Sequence, residues 1–305
     1  MKTDNFPQAG QREKGSDGQN WAVTKGVAAL ARLNSEEMTR WHILDGDYLH
    51  LREAVLELMS IDLLHYRTQQ MERRLTSYLE RSGQVSWGIF TQMLYRQPEQ
   101  VQRFLEFLMI NVSSFYRDGD KWTLLAEKIL PDLLRRSQPY GLQAWSIGCS
   151  IGAEAYTLAM LLRELACHRH HMIYAGDIDP SILEVARAAG PYSNSHLREL
   201  PPQLSEKFIV PIDNNRFRVR SEIQNLVHFE RFDLLQDRVP RLYDLVICRN
   251  LVIYFTPTVK EQVFRELALA VKLGGVLFIG STETFTNYRQ CGFTYLGPSF
   301  YQRTE

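Results

Sequence analysis

The chain has 305 residues, with 35 Lys and Arg against 35 Asp and Glu, 45% hydrophobic and 23% charged residues. That length accommodates about two domains of an ordinary globular protein. The balanced charge excludes a global field that would recruit nucleic acid or an anionic membrane. The four cysteines, Cys149, Cys167, Cys248 and Cys291, are scattered without C-x-x-C spacing. No apolar run approaches the roughly 20 residues of a membrane span, and the N-terminus is polar rather than a signal peptide. A reducing, cytoplasmic setting is therefore expected.

In chain order, residues 1–20 are rich in Gly, Asp, Gln, Lys and Ser and read as a disordered tail. Trp21 to Leu33 is compatible with a short helix. From Tyr48 to Met109 apolar residues recur at three and four spacing, as in Leu51, Val55, Leu56 and Met59, and predict a small helical bundle broken near Gly83-Gln84-Val85. Its last helix is expected over Val101–Met109. One helix carries Arg67, Arg73, Arg74 and Arg81 with Glu72 and Glu80 among them. Mixed charge of that kind reads first as a solvated face, and second as a docking surface for an acidic partner. The aromatic joint 111–118 follows, then a helix over Trp122–Leu134 closed by a polar turn at 135–140.

Beyond this point the period changes. Short apolar runs at 142–147, 172–175, 227–232, 243–248 and 276–280 alternate with helical stretches at 152–166, 180–189 and 257–272. Strand–helix alternation predicts an α/β fold, a doubly wound parallel sheet. Gly274 and Gly275 are expected as C-cap glycines between a helix and a strand. Residues 293–296 and 299–302 around Gly297-Pro298 read as a terminal hairpin. Residues 190–225 lack helical period and read as a small β-rich insertion on the crevice side.

In such a sheet, ligands sit beyond the C-terminal strand ends. The first strand ends in Gly148-Cys149-Ser150-Ile151-Gly152, a glycine turn that lets backbone approach a ligand before a helix begins. Asp177 ends the second strand, where an acid can accept ribose hydroxyls. Asp179, before Pro180, is the better helix cap. Glu154 is either a ligand contact or a complement to the helix N-terminus. Later strand ends offer Asp233, Arg249, Asn250 and Tyr254. The run Cys167-His168-Arg169-His170-His171 lies at the opposite edge, where cations suit a helix C-terminus, so no metal is assigned. Cys149 and Cys248 read as packing residues, and no Ser-His-Asp set is present.

Taken together these blocks resemble the CheR-type chemotaxis receptor methyltransferases, S-adenosylmethionine-dependent protein-glutamate O-methyltransferases. Asn-Val-Ser-Ser-Phe-Tyr-Arg at 111–117 is similar to the family's Asn-Leu-Thr-x-Phe-Phe-Arg. Residues 145–157 resemble its Trp-Ser-x-x-Cys-Ser-Thr-Gly-Glu-Glu-Pro-Tyr-Ser. Residues 175–179 resemble Ala-Ser/Thr-Asp-Ile-Asp, and 248–255 resemble Cys-Arg-Asn-Val-x-Ile-Tyr-Phe. The resemblance implies a disordered tail over 1–20 and a helical N-terminal domain over 21–110. A linker and helix over 111–141 then lead to a class I (Rossmann-like) methyltransferase domain over 142–305 with a β-subdomain at 190–225.

The same resemblance implies S-adenosyl-L-methionine as cofactor, with S-adenosyl-L-homocysteine as product. Cofactor contacts would come from Asn111, Ser113, Arg117, Glu154, Asp177, Asp233, Leu234, Arg249 and Asn250, beside the Gly148 turn. Arg117 and Tyr254 would lie at the transferred methyl. The implied partners are the cytoplasmic helices of methyl-accepting chemotaxis receptors, met by the helix around Arg67–Arg81 and by the insertion, with no nucleic acid and no membrane insertion. The short turn 213–215 argues against a receptor tail tethered there.

The chain departs from the family pattern at Ala153, Ala155 and Asp233, and its basic helix is diluted by Glu72, Ser77, Tyr78 and Glu80. These departures motivate an alternative, a non-catalytic S-adenosylmethionine-binding signalling module. A nicotinamide dehydrogenase ranks last, because no G-x-G-x-x-G follows the first strand.

Overall fold

The computed structural model describes residues 46–305, apart from 85, 110–112, 138, 139 and 240. The expected tail, the helix over Trp21–Leu33 and Asn111 lie outside the described residues. Residues Asp47–Glu305 form one compact unit.

Helices α1 (Gly46–Met59), α2 (Thr68–Ser82), α3 (Trp87–Arg96) and α4 (Pro98–Leu108) make the expected helical part. The interruption falls at Gly83, which caps α2 in the left-handed region. The last helix begins at Pro98, three residues before the expected start, because proline suits a first helical turn. Tyr78 packs against Phe90, Phe104 and Phe107 with ring centroids 4.6–5.3 Å apart, tying α2 to α3 and α4. After the joint come α5 (Gly119–Leu124), a π-helical turn at Leu125–Ile129 and α6 (Leu130–Arg136). Pro131 has no N–H to give the preceding turn, which accounts for the widening.

Strands β1 (Gln143–Ile147) and β2 (Met172–Asp177) flank helix α7 (Ala153–Leu165); α8 (Pro180–Arg187) follows. The insertion comes next, with α9 (Asn194–Leu197), α10 (Pro202–Phe208), β3 (Ile209–Pro211), β4 (Phe217–Val219) and α11 (Ser221–Gln224). The chain closes with β5 (Val227–Arg231), β6 (Tyr243–Cys248), α12 (Pro257–Ala270), β7 (Val271–Ile279), β8 (Phe293–Gly297) and β9 (Phe300–Arg303).

The seven-stranded sheet has the order β5-β2-β1-β6-β7-β9-β8. The first five are parallel, and the terminal hairpin adds antiparallel strands at one edge. The order in which successive strands are laid down reverses between the parallel neighbours β1 and β6, so the crevice of the sheet lies at their C-terminal ends. Alternate side chains feed two cores. Ala144, Leu245 and Phe278 face α5–α8, whereas Trp145, Val246 and Leu277 face α12 and the hairpin.

Two expectations need correction. Gly274 and Gly275 do not end a helix. They lie inside β7, where pairing jumps from Val271 to Val276 while β6 advances only from Tyr243 to Leu245. Helix α12 has already stopped at Ala270, and the glycines serve the irregular ladder. The insertion is only partly β: beside its two three-residue strands it contains three short helices. Its proline pair at 201–202 opens α10, a role that a search for strand alternation overlooks. It runs along α7. Tyr192 Oη donates to Ile151 O at one end (2.8 Å), and Lys207 and Glu222 pair with Glu164 and Arg163 at the other.

Candidate active site

The glycine turn after β1 is held from below: Gly148 N and Cys149 N donate to Gly176 O at 2.9 and 3.1 Å. Gly148 has φ +69°, and a Cβ there would meet Leu251 Cδ2 at 3.2 Å. Gly152 has φ +82°, and its Cβ would lie 2.9 Å from Phe229 Cζ, so a side chain at that point would displace the turn.

Beside this turn a cavity of ≈ 380 Å³ opens, within the usual size of small-molecule sites. Ser113, Arg117, Gly148, Glu154, Asp177, Asp233, Leu234, Arg249, Asn250 and Tyr254 all line it. Thus every expected site residue that the structure describes falls on one cavity, although these residues span 113–254 in the chain. The helical side contributes Tyr66, Arg67, Gln70, Met71, Arg74, Leu108 and Met109, none of which the strand-end argument indicated. Their signal was available: 67, 70, 71 and 74 form one helical stripe. The reading of this helix as a solvated face fails for partly buried Arg74 and holds for exposed Arg73 and Arg81, while Arg67 is exposed and also borders the cavity.

Asp177 is 8% exposed, and both its oxygens accept backbone donors, Ser150 N at 2.8 Å and Asp179 N at 3.1 Å. It therefore buttresses the glycine turn as well as facing the cavity. Asp179 caps α8 through Ser181 N at 2.9 Å. Asp233 closes a local turn by accepting Leu235 N at 2.9 Å. Glu154 accepts Ser146 Oγ at 2.7 Å and lies 3.5 Å from Arg249 Nη1. Burial raises the carboxyls of Glu154, Asp177 and Asp233 above their ordinary values, since charge is poorly solvated there.

Arg249 ties the walls together. It is 6% exposed, donates to Asp118 Oδ2 at 2.6 Å and Arg117 O at 2.8 Å, and lies 4.8 Å from the centre of the Phe278 ring. The joint Ser113–Asp118 is braced from the other side by the insertion, where Phe115 N donates to His196 O (2.9 Å) and Asp118 N to Glu199 Oε2 (3.3 Å). Among the described residues, none of 190–225 lines the cavity, so the insertion supports the crevice without entering it.

A further acid sits behind the site. Glu283 Oε2 accepts Gly280 N at 2.6 Å and Oε1 accepts Val252 N at 3.0 Å, fixing the turn in which Asn250 has φ +58°. Nothing in the local sequence marked it, because its partners are backbone groups 31 residues away or in an irregular turn. Burial raises the Tyr254 phenol, an effect opposed by the nearby Arg74 and Arg117 cations. The phenol is thus a hydrogen-bond donor at neutral pH. His171 is occupied at both ring nitrogens, by Leu142 N (3.1 Å) and Ala166 O (3.0 Å), as a brace between α7 and β1. Burial pushes the thiols of Cys149 and Cys248 well up, which suits packing rather than nucleophilic chemistry.

A family model described as CheR methyltransferase, SAM binding domain, matches residues 111–296. The chemotaxis protein methyltransferase of Listeria monocytogenes is 34% identical over 261 residues, covering 86% of this chain and 98% of its own. The protein of the same name in Escherichia coli K12 is 29% identical over 271 residues, covering 86% and 92%.

The chain belongs to the CheR methyltransferase family. It is a methyltransferase that uses S-adenosylmethionine, on a Rossmann-like α/β fold. The cavity suits that cofactor on its own terms. Ser150 Oγ and Arg249 Nε are buried without a partner among the described residues, beside carboxylates that suit an ammonium or sulfonium charge. Two departures from the CheR pattern have a structural reason. Ala153 and Ala155 are fully buried at the start of α7, so they fill core space and remove no group from the cavity. Among the described residues, no helix is long and apolar enough to cross a membrane.

Proposed function

We propose that this chain transfers the methyl group of S-adenosylmethionine to glutamate side chains of methyl-accepting chemotaxis receptors, forming glutamate 5-O-methyl esters for sensory adaptation in the cytoplasm. The observation that carries the reading is the presence of Arg117 and Tyr254 on the wall of the cavity that opens beside Gly148 and Asp177. The names of the relatives, chemotaxis protein methyltransferases, supply the substrate class.

The bound cofactor would supply an electrophilic methyl on positively charged sulfur. A glutamate carboxylate, with a reference pKa of about 4.3, is already an anion at neutral pH, so no general base is needed. The work left to the protein is positioning and exclusion of water. Arg117 can hold the incoming carboxylate by charge-assisted hydrogen bonds, and the protonated Tyr254 hydroxyl can orient it. In this reading Asp177 takes the ribose hydroxyls. Glu154, Asp233, Leu234, Arg249, Asn250, Ser113 and the Gly148 turn complete the cofactor site, with Asn111 adjacent in sequence. Helix α2 and the insertion form the receptor-facing surface. The buried positions of Ala153 and Ala155 withdraw those two departures from the non-catalytic alternative, which then rests on Asp233 and the diluted basic helix.

The test is incubation with methyl-labelled S-adenosylmethionine and receptor-containing membranes, followed by base treatment. Base-labile label released as methanol is expected. Cofactor binding without any label on receptors would overturn the reading in favour of the non-catalytic module.

A further inference from the structure

The segment His65–Arg67 joins the first helices to α2, and it pairs with the turn that carries Tyr254. Arg67 N donates to Tyr254 O at 2.8 Å and Thr256 N donates to His65 O at 2.9 Å. Tyr66 and Phe255 thereby form an isolated antiparallel bridge, and their rings lie 5.4 Å apart. Tyr66 lines the cavity together with Asp177, Ile178, Asp233 and Leu234. Its ring thus shares the cavity wall with residues at the C-terminal ends of β2 and β5, and the bridge to Phe255 holds it there. The phenol is raised first by burial and then by the Asp233 and Asp177 carboxylates, in keeping with that neighbourhood.

Resting on the reading above, we propose that Tyr66 is a cofactor-contacting residue supplied from outside the sheet, its ring forming a wall for the adenosyl group. The backbone pairing of His65–Arg67 with Tyr254–Thr256 then makes the setting of α2 depend on cofactor occupancy. The physical ground is continuity. Tyr66 lies two residues before α2, whose cavity-facing stripe is Arg67, Gln70 and Arg74. A group packed on the Tyr66 ring restrains the start of that helix and the Tyr254 turn together. The cofactor thus organises the face that meets the acceptor.

The experiment uses the full chain and S-adenosyl-L-homocysteine as probe, so no turnover is involved. Calorimetry should give an affinity about ten-fold weaker for Tyr66→Ala, and within about two-fold of the parent for Tyr66→Phe, which keeps the ring. Hydrogen exchange should slow over 65–75 and 250–256 when the probe binds the parent chain. In saturated Tyr66→Ala only the glycine turn should be protected. Tyr66→Leu, checked by thermal unfolding, substitutes if the alanine variant does not fold. Parent-like affinity in Tyr66→Ala or Tyr66→Leu, or exchange over 65–75 indifferent to the probe, would overturn the inference. Failure of the parent chain to bind the probe would instead count against the cofactor reading itself.

Discussion

On the sheet side of the cavity, Asp177 and Arg249 are buried, Glu154 is nearly so, and all three are already bonded to their own chain. On the helical side, Arg67 and Gln70 are exposed, and Arg74 rests its guanidinium on the Phe107 ring and the carbonyls of Phe107 and Leu108 at the end of α4. One wall is set before any ligand arrives; the other can reorganise. A fixed wall suits a ligand that is the same in every turnover, because preorganised donors need no rearrangement. An exposed, cationic wall suits a macromolecular acceptor whose local sequence varies. Arg117 lies where the walls meet, its carbonyl bonded to Arg249 and its side chain at the cavity.

The sharpest way to break this division is Arg117→Ala. If Arg117 serves the acceptor, kcat should fall by about 100-fold or more while S-adenosylhomocysteine affinity changes by only a few-fold. A proportional loss of both would move Arg117 to the cofactor wall. Next in size is Asp177→Ala. Charged hydrogen bonds contribute about 1.5–3 kcal/mol, so the affinity for S-adenosylhomocysteine should drop by about 10- to 100-fold in calorimetry. Because Ser150 N loses its acceptor, the free protein should also unfold at lower temperature. Unchanged affinity would refute the assignment of Asp177 to the ribose.

A smaller effect separates the walls by pH. Burial raises Glu154, Asp177 and Asp233 in the free protein. Groups raised in the folded state add stability that is full below their unfolded values, near 4, and is lost as pH rises through the folded values. The free chain is thus progressively burdened between acid and neutral pH, and a cationic ligand relieves it. The rise in unfolding temperature given by saturating S-adenosylmethionine should therefore be larger at pH 7.5 than at pH 5. Arg74→Gln, on the opposite wall, should leave that pH trend in place. A trend that is flat in the parent chain would mean these carboxyls do not face the cofactor's charge.

The difference between the walls also explains what could be read from the chain. Gly148, Glu154, Asp177 and Arg249 belong to short contiguous blocks at strand ends, where chemistry and chain order coincide, so pattern and resemblance both point to residues that line the cavity. Arg74 lines the cavity from a helix face and Tyr66 from the segment before that helix, and mixed charge on a helix looks the same whether the face meets water or a cavity. Glu283 serves only backbone amides, which leave no mark in side-chain spacing. The glycines at 274–275 were placed in the right interval with the wrong job, since a glycine pair between a helix and a strand fits a cap as well as a bulge. The insertion misled for a related reason: helices of four and seven residues are too short to display a period.

The smallest expected effects come from the neighbouring pair Arg73 and Arg74. They carry the same charge one position apart, and only Arg74 lines the cavity and reaches α4. A net-charge effect would be equal for both; a wall effect would not. Arg73→Gln should change unfolding free energy by no more than about 0.5 kcal/mol, as exposed substitutions do, and leave the acceptor KM nearly unchanged. Arg74→Gln should cost about 1–2 kcal/mol by leaving the α4 carbonyls without their donor, and should raise the acceptor KM with little change in S-adenosylhomocysteine affinity. Equal rises in acceptor KM for the two variants would reduce α2 to a diffuse positive field and remove the helical wall as a distinct part of the site.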